Sequence, residues 1–144
     1  MIRSDRGMSA ALGYILTLSI TTILISGLFI TAGSVVDTQR QQATTQELTV
    51  HGERLAADLM TVDRLARTGS AVELERDLPV SVGGATYEIE IADEEIELRS
   101  NHVEDPVLVS FTADHDVSIA GSDSISGGTV VIESDGEGVE VRNG

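Results

Sequence analysis

Hydrophobic and polar positions change their period twice along this chain. From Met8 to Val36, 29 consecutive residues carry no charge, and 18 are apolar, eight are Ser or Thr and three are Gly. A helix of that length runs about 43 Å at about 1.5 Å per residue. A bilayer core takes only about 20 residues, so the segment is long enough to cross a membrane and continue past it. A buried core helix is the competing reading, but the β-patterned remainder is too short to wrap so many uncharged positions.

Beyond the span the pattern becomes amphipathic. From Asp37 to Thr68 there is no proline, and Leu48, Leu55, Leu59, Val62 and Ala66 recur at helical spacing on one face. Arg54 with Asp58, and Asp63 with Arg67, are expected i,i+4 ion pairs. Gly52 weakens the helix by about 1 kcal/mol relative to Ala and marks a possible bend. Arg67-Thr68-Gly69 forms a helix end, with a base in the last turn and Gly69 in the left-handed cap. One helix is therefore expected from about Met8 to Thr68.

From Ser70 the period drops to two. Val72 and Leu74 alternate with acids, and Leu78, Val80 and Val82 continue that apolar phase. Tyr87, Ile89 and Ile91 lead through Ala92-Asp93-Glu94 into Ile96 and Leu98, which suits a short hairpin. Val107, Val109 and Phe111 form another strand face, with Val117 and Ile119 a shorter one. Val130 and Ile132 pass through Ser134-Asp135-Gly136-Glu137-Gly138 to Val139 and Val141, where the Asp-Gly step favours a tight hairpin. About seven strands in a meander are expected, with one wet acidic face and a dry face leaning on the amphipathic helix or on neighbouring subunits. The fold class is α+β: a long N-terminal transmembrane or filament-core helix, its amphipathic extension over 37–69, and a small antiparallel β domain over 70–144.

Charge sharpens that division. The chain of 144 residues carries 24 acids and nine bases, a formal net charge of −15, and every base is arginine. All but one of the acids lie after residue 36. Such a chain is unsuited to wrapping nucleic acid, which needs bases to displace counterions. The arginine count does not orient the span, because Arg3 and Arg6 before it are matched by Arg40 and Arg54 after it. On the acidic bulk that follows the span, the domain is expected outside the cell. Acidic surface repels itself unless salt screens it, and the complete absence of lysine resembles proteins of extreme halophiles.

Candidate chemistry is sparse. Without cysteine, disulfides and thiolate chemistry are excluded. His51, His102 and His115 show no metal-ligand spacing, with His51 expected exposed on the helix and the others in loops. Asp114-His115-Asp116 and Asp135-Gly136-Glu137 bring acids together, but neither has the calcium-loop pattern, and solvated loop acids are the simpler reading. Gly83-Gly84 and Gly127-Gly128 are turns. No catalytic residue, metal or cofactor is expected.

The most specific motif precedes the span. Arg6-Gly7 stands directly before Met8-Ser9-Ala10-Ala11-Leu12-Gly13-Tyr14-Ile15-Leu16 and the unbroken apolar run. This resembles the class III signal peptide of archaeal type IV pilin-like proteins, including archaellins and adhesion pilins of haloarchaea. The resemblance covers the first 30 residues, and the long helix with an acidic β domain matches the family's lollipop layout. It implies a leader, residues 1–7, that a prepilin peptidase reads at Arg6 and Gly7 and removes so that Met8 becomes the mature N-terminus. It also implies an assembly helix over 8–36, and as partners a pilus assembly platform and copies of the chain or other pilins. Two positions depart from the family. Ala10 stands where many haloarchaeal pilins have Pro, which suggests a divergent or accessory member, and Leu12 stands where bacterial type IV pilins carry Glu.

The composition of the span supports the same conclusion on physical grounds. Its hydroxylated residues and Gly13, Thr17, Thr21, Gly27 and Gly33 in particular are close-approach points, since small residues let apolar helices pack where water offers no driving force. The expected function is a structural subunit of a surface filament. A single-pass envelope protein whose β domain binds a partner without polymerising is the alternative. A secretory signal peptide cut near Ala32 or Gly33 ranks behind both, because the apolar run exceeds the usual length of about 7–15 residues.

Overall fold

The structure is a computed structural model that describes residues 2–92 and 94–144, with the side chains of residues 2–5 outside the description. Two compact units divide the chain, Met1–Gln39 and Arg40–Gly144. Helix α1, Ile2–Ala66, contributes to both. It begins before the expected Met8 because Arg6-Gly7 contains no proline and one interior glycine costs only about 1 kcal/mol.

The helix ends as its sequence dictates. Thr68 N–H donates to the Leu65 carbonyl (3.0 Å) and Gly69 N–H to Ala66 (2.9 Å). Gly69 takes the left-handed conformation at φ 76°, where any side chain is strained. Upstream, α1 runs through Gly52 without interruption. Gly52 is instead a packing residue. A Cβ there would stand 2.8 Å from both Leu98 Cδ1 and Val109 Cγ2, so only glycine lets the helix backbone come this close to the sheet.

Eight strands follow: β1 Val72–Asp77, β2 Tyr87–Ala92, β3 Glu95–Ser100, β4 Val107–Ser110, β5 Val117–Ile119, β6 Ile125–Ser126, β7 Thr129–Ser134 and β8 Val139–Asn143. They form two four-stranded sheets, ordered β1-β7-β8-β5 and β4-β3-β2-β6. The expected meander is corrected here, because β1 pairs with the distant β7, Val72 opposite Ser134. The expected antiparallel β domain is present, with five antiparallel strand pairs and one parallel pair, β5 with β8. Strand β6 was not anticipated; with Ile125 as its only large apolar residue it has no alternation to read. Nor do Leu78, Val80 and Val82 extend the first strand. Pro79 cannot donate to a ladder, and Val80 is 66% exposed.

Two expected hairpins are present. In β2–β3, Ala92 opposes Glu95; Asp93 of the expected connection lies outside the described residues. In β7–β8, Ser134 opposes Val139, and Ser134 Oγ donates to the Gly138 carbonyl (2.5 Å). Alternation then builds one core. Leu48, Leu55, Leu59 and Val62 of the helix stripe join Ile89, Ile96 and Leu98 of one sheet and Val130, Ile132, Val139 and Val141 of the other. The dry faces therefore close on the amphipathic helix half within a single chain.

Candidate functional site

The first unit offers one feature, an apolar helix without a covering. Part of α1 is long and apolar enough to cross a membrane, and none of that window is buried. Leu28, Phe29 and Ile30 are each 75% exposed. The hydroxyls in this stretch are satisfied from within. Thr17 Oγ1 donates to the Gly13 carbonyl (2.8 Å), Thr21 to Thr17 (2.8 Å), Ser26 to Thr22 (2.8 Å) and Thr31 to Gly27 (3.0 Å). Each returns its proton to the helix's own backbone, so the segment exposes little unmet polarity to an apolar surrounding.

The anticipated packing residues divide between faces. At about 100° per residue, Gly13, Thr17, Thr21 and Gly27 fall within an arc of about 120°, whereas Gly33 projects from the opposite side. No atom lies within 4 Å of a Cβ built at Gly13, Gly27 or Gly33, so each has open space. Arg6, Gly7 and Met8 are exposed on the same helix. The rest of the expected leader lies partly outside the described residues, namely Met1 and the side chains of 2–5.

In the second unit, buried acids fasten the helix to what surrounds it. Asp63 is 2% exposed. Its Oδ1 accepts the N–H of Asp114 (3.1 Å), the N–H of His115 (3.0 Å) and the His115 ring Nδ1 (2.8 Å). Burial pushes this carboxyl up, but the His115 ring, the His115 and Asp114 amides and the His115 charge outweigh it, so its pKa is lowered. The expected Asp63–Arg67 pair is loose at 4.0 Å, because Arg67 turns to Asp114 at 2.5 Å. The expected Arg54–Asp58 pair is replaced. Asp58 receives Arg76 of β1 in a two-bond fork, 2.5 and 2.6 Å, which raises the guanidinium's pKa.

The histidines do not converge. His115 serves Asp63, His102 Nδ1 lies 3.0 Å from the Gly83 carbonyl, and His51 is half-buried 3.9 Å from Glu47. His51 is thus not the exposed residue expected, because its helix face turns toward the sheet. Gly83 and Gly84 form a tight turn at φ 62° and 88°, bridged by Val82 and Ala85. Tyr87 is 2% exposed, and burial, aided by the Glu47 charge, pushes its phenol up to about 12. Its hydroxyl has no hydrogen-bond partner among the described residues.

Acids gather on one outer face. Glu73 of β1, Glu133 of β7 and Glu140 of β8 stand directly opposite one another across three strands. With Asp135 and Glu137 they line a cleft of about 570 Å³. Arg142 reaches Glu133 at 3.5 Å. Asp135 accepts the Glu137 N–H (3.0 Å), which holds its carboxyl below the ordinary range. Among the described residues no group of three or more His or acid side chains is arranged to hold a metal ion.

A single family match takes in both units, from residue 3 to residue 143. The chain belongs to DUF7266, a family of unknown function. Neither a curated protein nor a solved structure matches it. The DUF7266 match covers the apolar helix and the β domain together. Within this DUF7266 chain, sequence reasoning missed the roles of Asp58, Asp63 and Gly52. Their partners lie 18 to 57 residues away along the chain, so no local spacing announces them.

Proposed function

We propose that the protein is a pilin-like structural subunit of a surface filament, built on the packing of residues 8–36 with copies of itself or with other pilins. The observation that carries this reading is the apolar segment itself. It is uncharged over 29 residues, uncovered within the chain and satisfied in its hydroxyls. It can leave lipid only by burying itself against similar helices. Arg6 and Gly7, exposed beside Met8, form the site at which a prepilin peptidase cuts. An assembly platform then extracts the mature chain, with the β domain displayed outside the cell. The lysine-free acidic surface suits the concentrated salt around a haloarchaeon. The role is structural rather than enzymatic.

The test is the N-terminus of the protein in its native host. Arg6→Gln with Gly7→Val leaves the apolar span intact, so insertion continues while cleavage stops. An uncut chain carries Arg3 and Asp5 toward a dry helix bundle, where a charge at a membrane-helix centre costs about 2.5–3.5 kcal/mol. The variant accumulates in membranes at precursor mass and is missing from sheared filaments. If the unaltered protein in the native host retains residues 1–7, it is a single-pass envelope protein whose β domain binds a partner, and the filament reading fails.

A further inference from the structure

Two steps in the chain place glycine directly after Asp or Asn, namely Asp135-Gly136 and Asn143-Gly144. A glycine carries no side chain to hinder its backbone nitrogen, so that nitrogen can turn onto the preceding side-chain carbon and close a cyclic imide. The fold holds both steps against this ring closure. At the first, Gly136 N–H donates to Ser134 Oγ (3.2 Å), and Asp135 Oδ1 accepts the Glu137 N–H (3.0 Å). At the second, Gly144 N–H donates to the Thr129 carbonyl (2.8 Å). The Asn143 side chain is tied to β6 by both of its polar atoms. Oδ1 accepts the Ser126 N–H (3.3 Å), and Nδ2 donates to the Ser126 carbonyl (3.0 Å).

The two steps differ in chemistry. A carboxylate is a poor electrophile, because hydroxide would have to leave. The Glu137 amide keeps Asp135 in that form by holding its pKa below the ordinary range. The Asn143 amide is neutral and can expel ammonia, so only its geometry restrains it. That geometry also fastens a short strand. Strand β6 is two residues long and lies along β2 with Ile125 opposite Ile89 and Ser126 opposite Glu88. Toward β8, both backbone groups of Ser126 are taken by Asn143.

We propose that Asn143 is a latent self-modification site, at which the chain deamidates when the end of β8 opens and thereby releases β6. The Gly144 nitrogen loses its proton to water and bonds to Asn143 Cγ. The Cγ–Nδ2 bond breaks, and ammonia leaves with a proton from solvent. Water then adds to either carbonyl of the imide and opens it, which yields aspartate or isoaspartate without any oxidant or reductant. Both products lack Nδ2, the donor to the Ser126 carbonyl. A carboxylate oxygen takes its place, so an acceptor meets an acceptor and the bond is lost. Local opening of one strand end suffices for the reaction. Each chain therefore keeps a covalent trace of its own openings. The inference stands on the β domain and does not depend on leader cleavage or on polymerisation.

Full-length protein in detergent micelles is incubated in mildly alkaline buffer, either folded in concentrated potassium chloride or unfolded in urea. A glutamate-specific protease, cutting after Glu140, releases Val141–Gly144, whose amide loss and isoaspartate content are read by mass spectrometry. The unfolded chain is expected to deamidate at Asn143, and the folded chain at least about tenfold more slowly, the factor set by one local opening. Asn143→Asp supplies the aspartate product directly. Amide exchange at Ile125 and Ser126 should rise about fivefold in that variant, as one lost hydrogen bond requires. The same rise is expected in wild-type protein aged until Asn143 has reacted, which keeps the test independent of how well the variant folds. An unfolded chain that stays amidated at Asn143 overturns the proposal, as do equal rates in the folded and unfolded states. Unchanged exchange at β6 in the aged protein overturns it as well.

Discussion

Asp63→Ala strikes the most heavily used carboxylate in the β domain. The substitution leaves three donors without their acceptor: the amides of Asp114 and His115 and the His115 ring nitrogen. Asp63 is 2% exposed, so water replaces it poorly. An orphaned buried donor costs about 1–3 kcal/mol, and the effects of one network do not add fully. A loss of about 3–5 kcal/mol follows, a large share of the roughly 5–15 kcal/mol that holds a domain together. Asp63→Asn keeps an acceptor oxygen and loses only the charge, and should cost about 1–2 kcal/mol. Urea unfolding of a fragment from Arg40 to Gly144, which contains the whole core, followed by far-ultraviolet circular dichroism, measures both. Because the folded-state pKa of Asp63 is lowered from 3.8, its ionised form stabilises the fold above that pH. The benefit is lost as pH falls below it through the folded value. The gap between wild type and Asp63→Asn should therefore be full at neutral pH and shrink below pH 3.8. An Asp63→Ala loss under about 1 kcal/mol, or a gap that widens on acidification, would refute the reasoning.

Glycines separate the two units. Gly52→Ala gains about 1 kcal/mol of helix propensity but drives a methyl into Leu98 and Val109, at about 1–3 kcal/mol; the fragment should melt lower, and an unchanged or higher midpoint would contradict the close approach. Gly27→Leu meets no atom of its own chain, so under the proposed filament role it should leave domain stability and membrane insertion unchanged while depleting the protein from sheared filaments. The glutamate ladder predicts a salt response. Directly opposed like charges on a sheet destabilise by about 0.2–1 kcal/mol, so Glu73→Gln, which faces Glu133 and leaves the Arg142–Glu133 pair in place, should raise the thermal midpoint in dilute salt and add little in 3 M potassium chloride, where the screening length is under about 3 Å. A benefit that persists at high salt would place its origin elsewhere.

The features that sequence alone determined are those governed by near neighbours. The uncharged run from Met8 to Val36 is self-evident because helix length and charge are one-dimensional quantities. The stripe Leu48, Leu55, Leu59, Val62 and Ala66 is buried as its spacing requires, and Gly69 caps the helix because only glycine takes that conformation without strain. The β2–β3 and β7–β8 hairpins close over a few residues, within the reach of turn chemistry. Tertiary structure decided everything that depends on which distant segments meet. Two sheets form instead of a meander because β1 finds β7 across the whole domain, and alternation specifies a buried face without naming its partner strand. Asp58 looked like the neighbour of Arg54, yet Arg76 competes from a strand with a better-aligned fork. Gly52 looked like a weak point in a helix until Leu98 and Val109 arrived beside it. The fastening of Asn143 is likewise invisible in the sequence, since Ser126 stands 17 residues away and meets it only when β6 folds alongside β8.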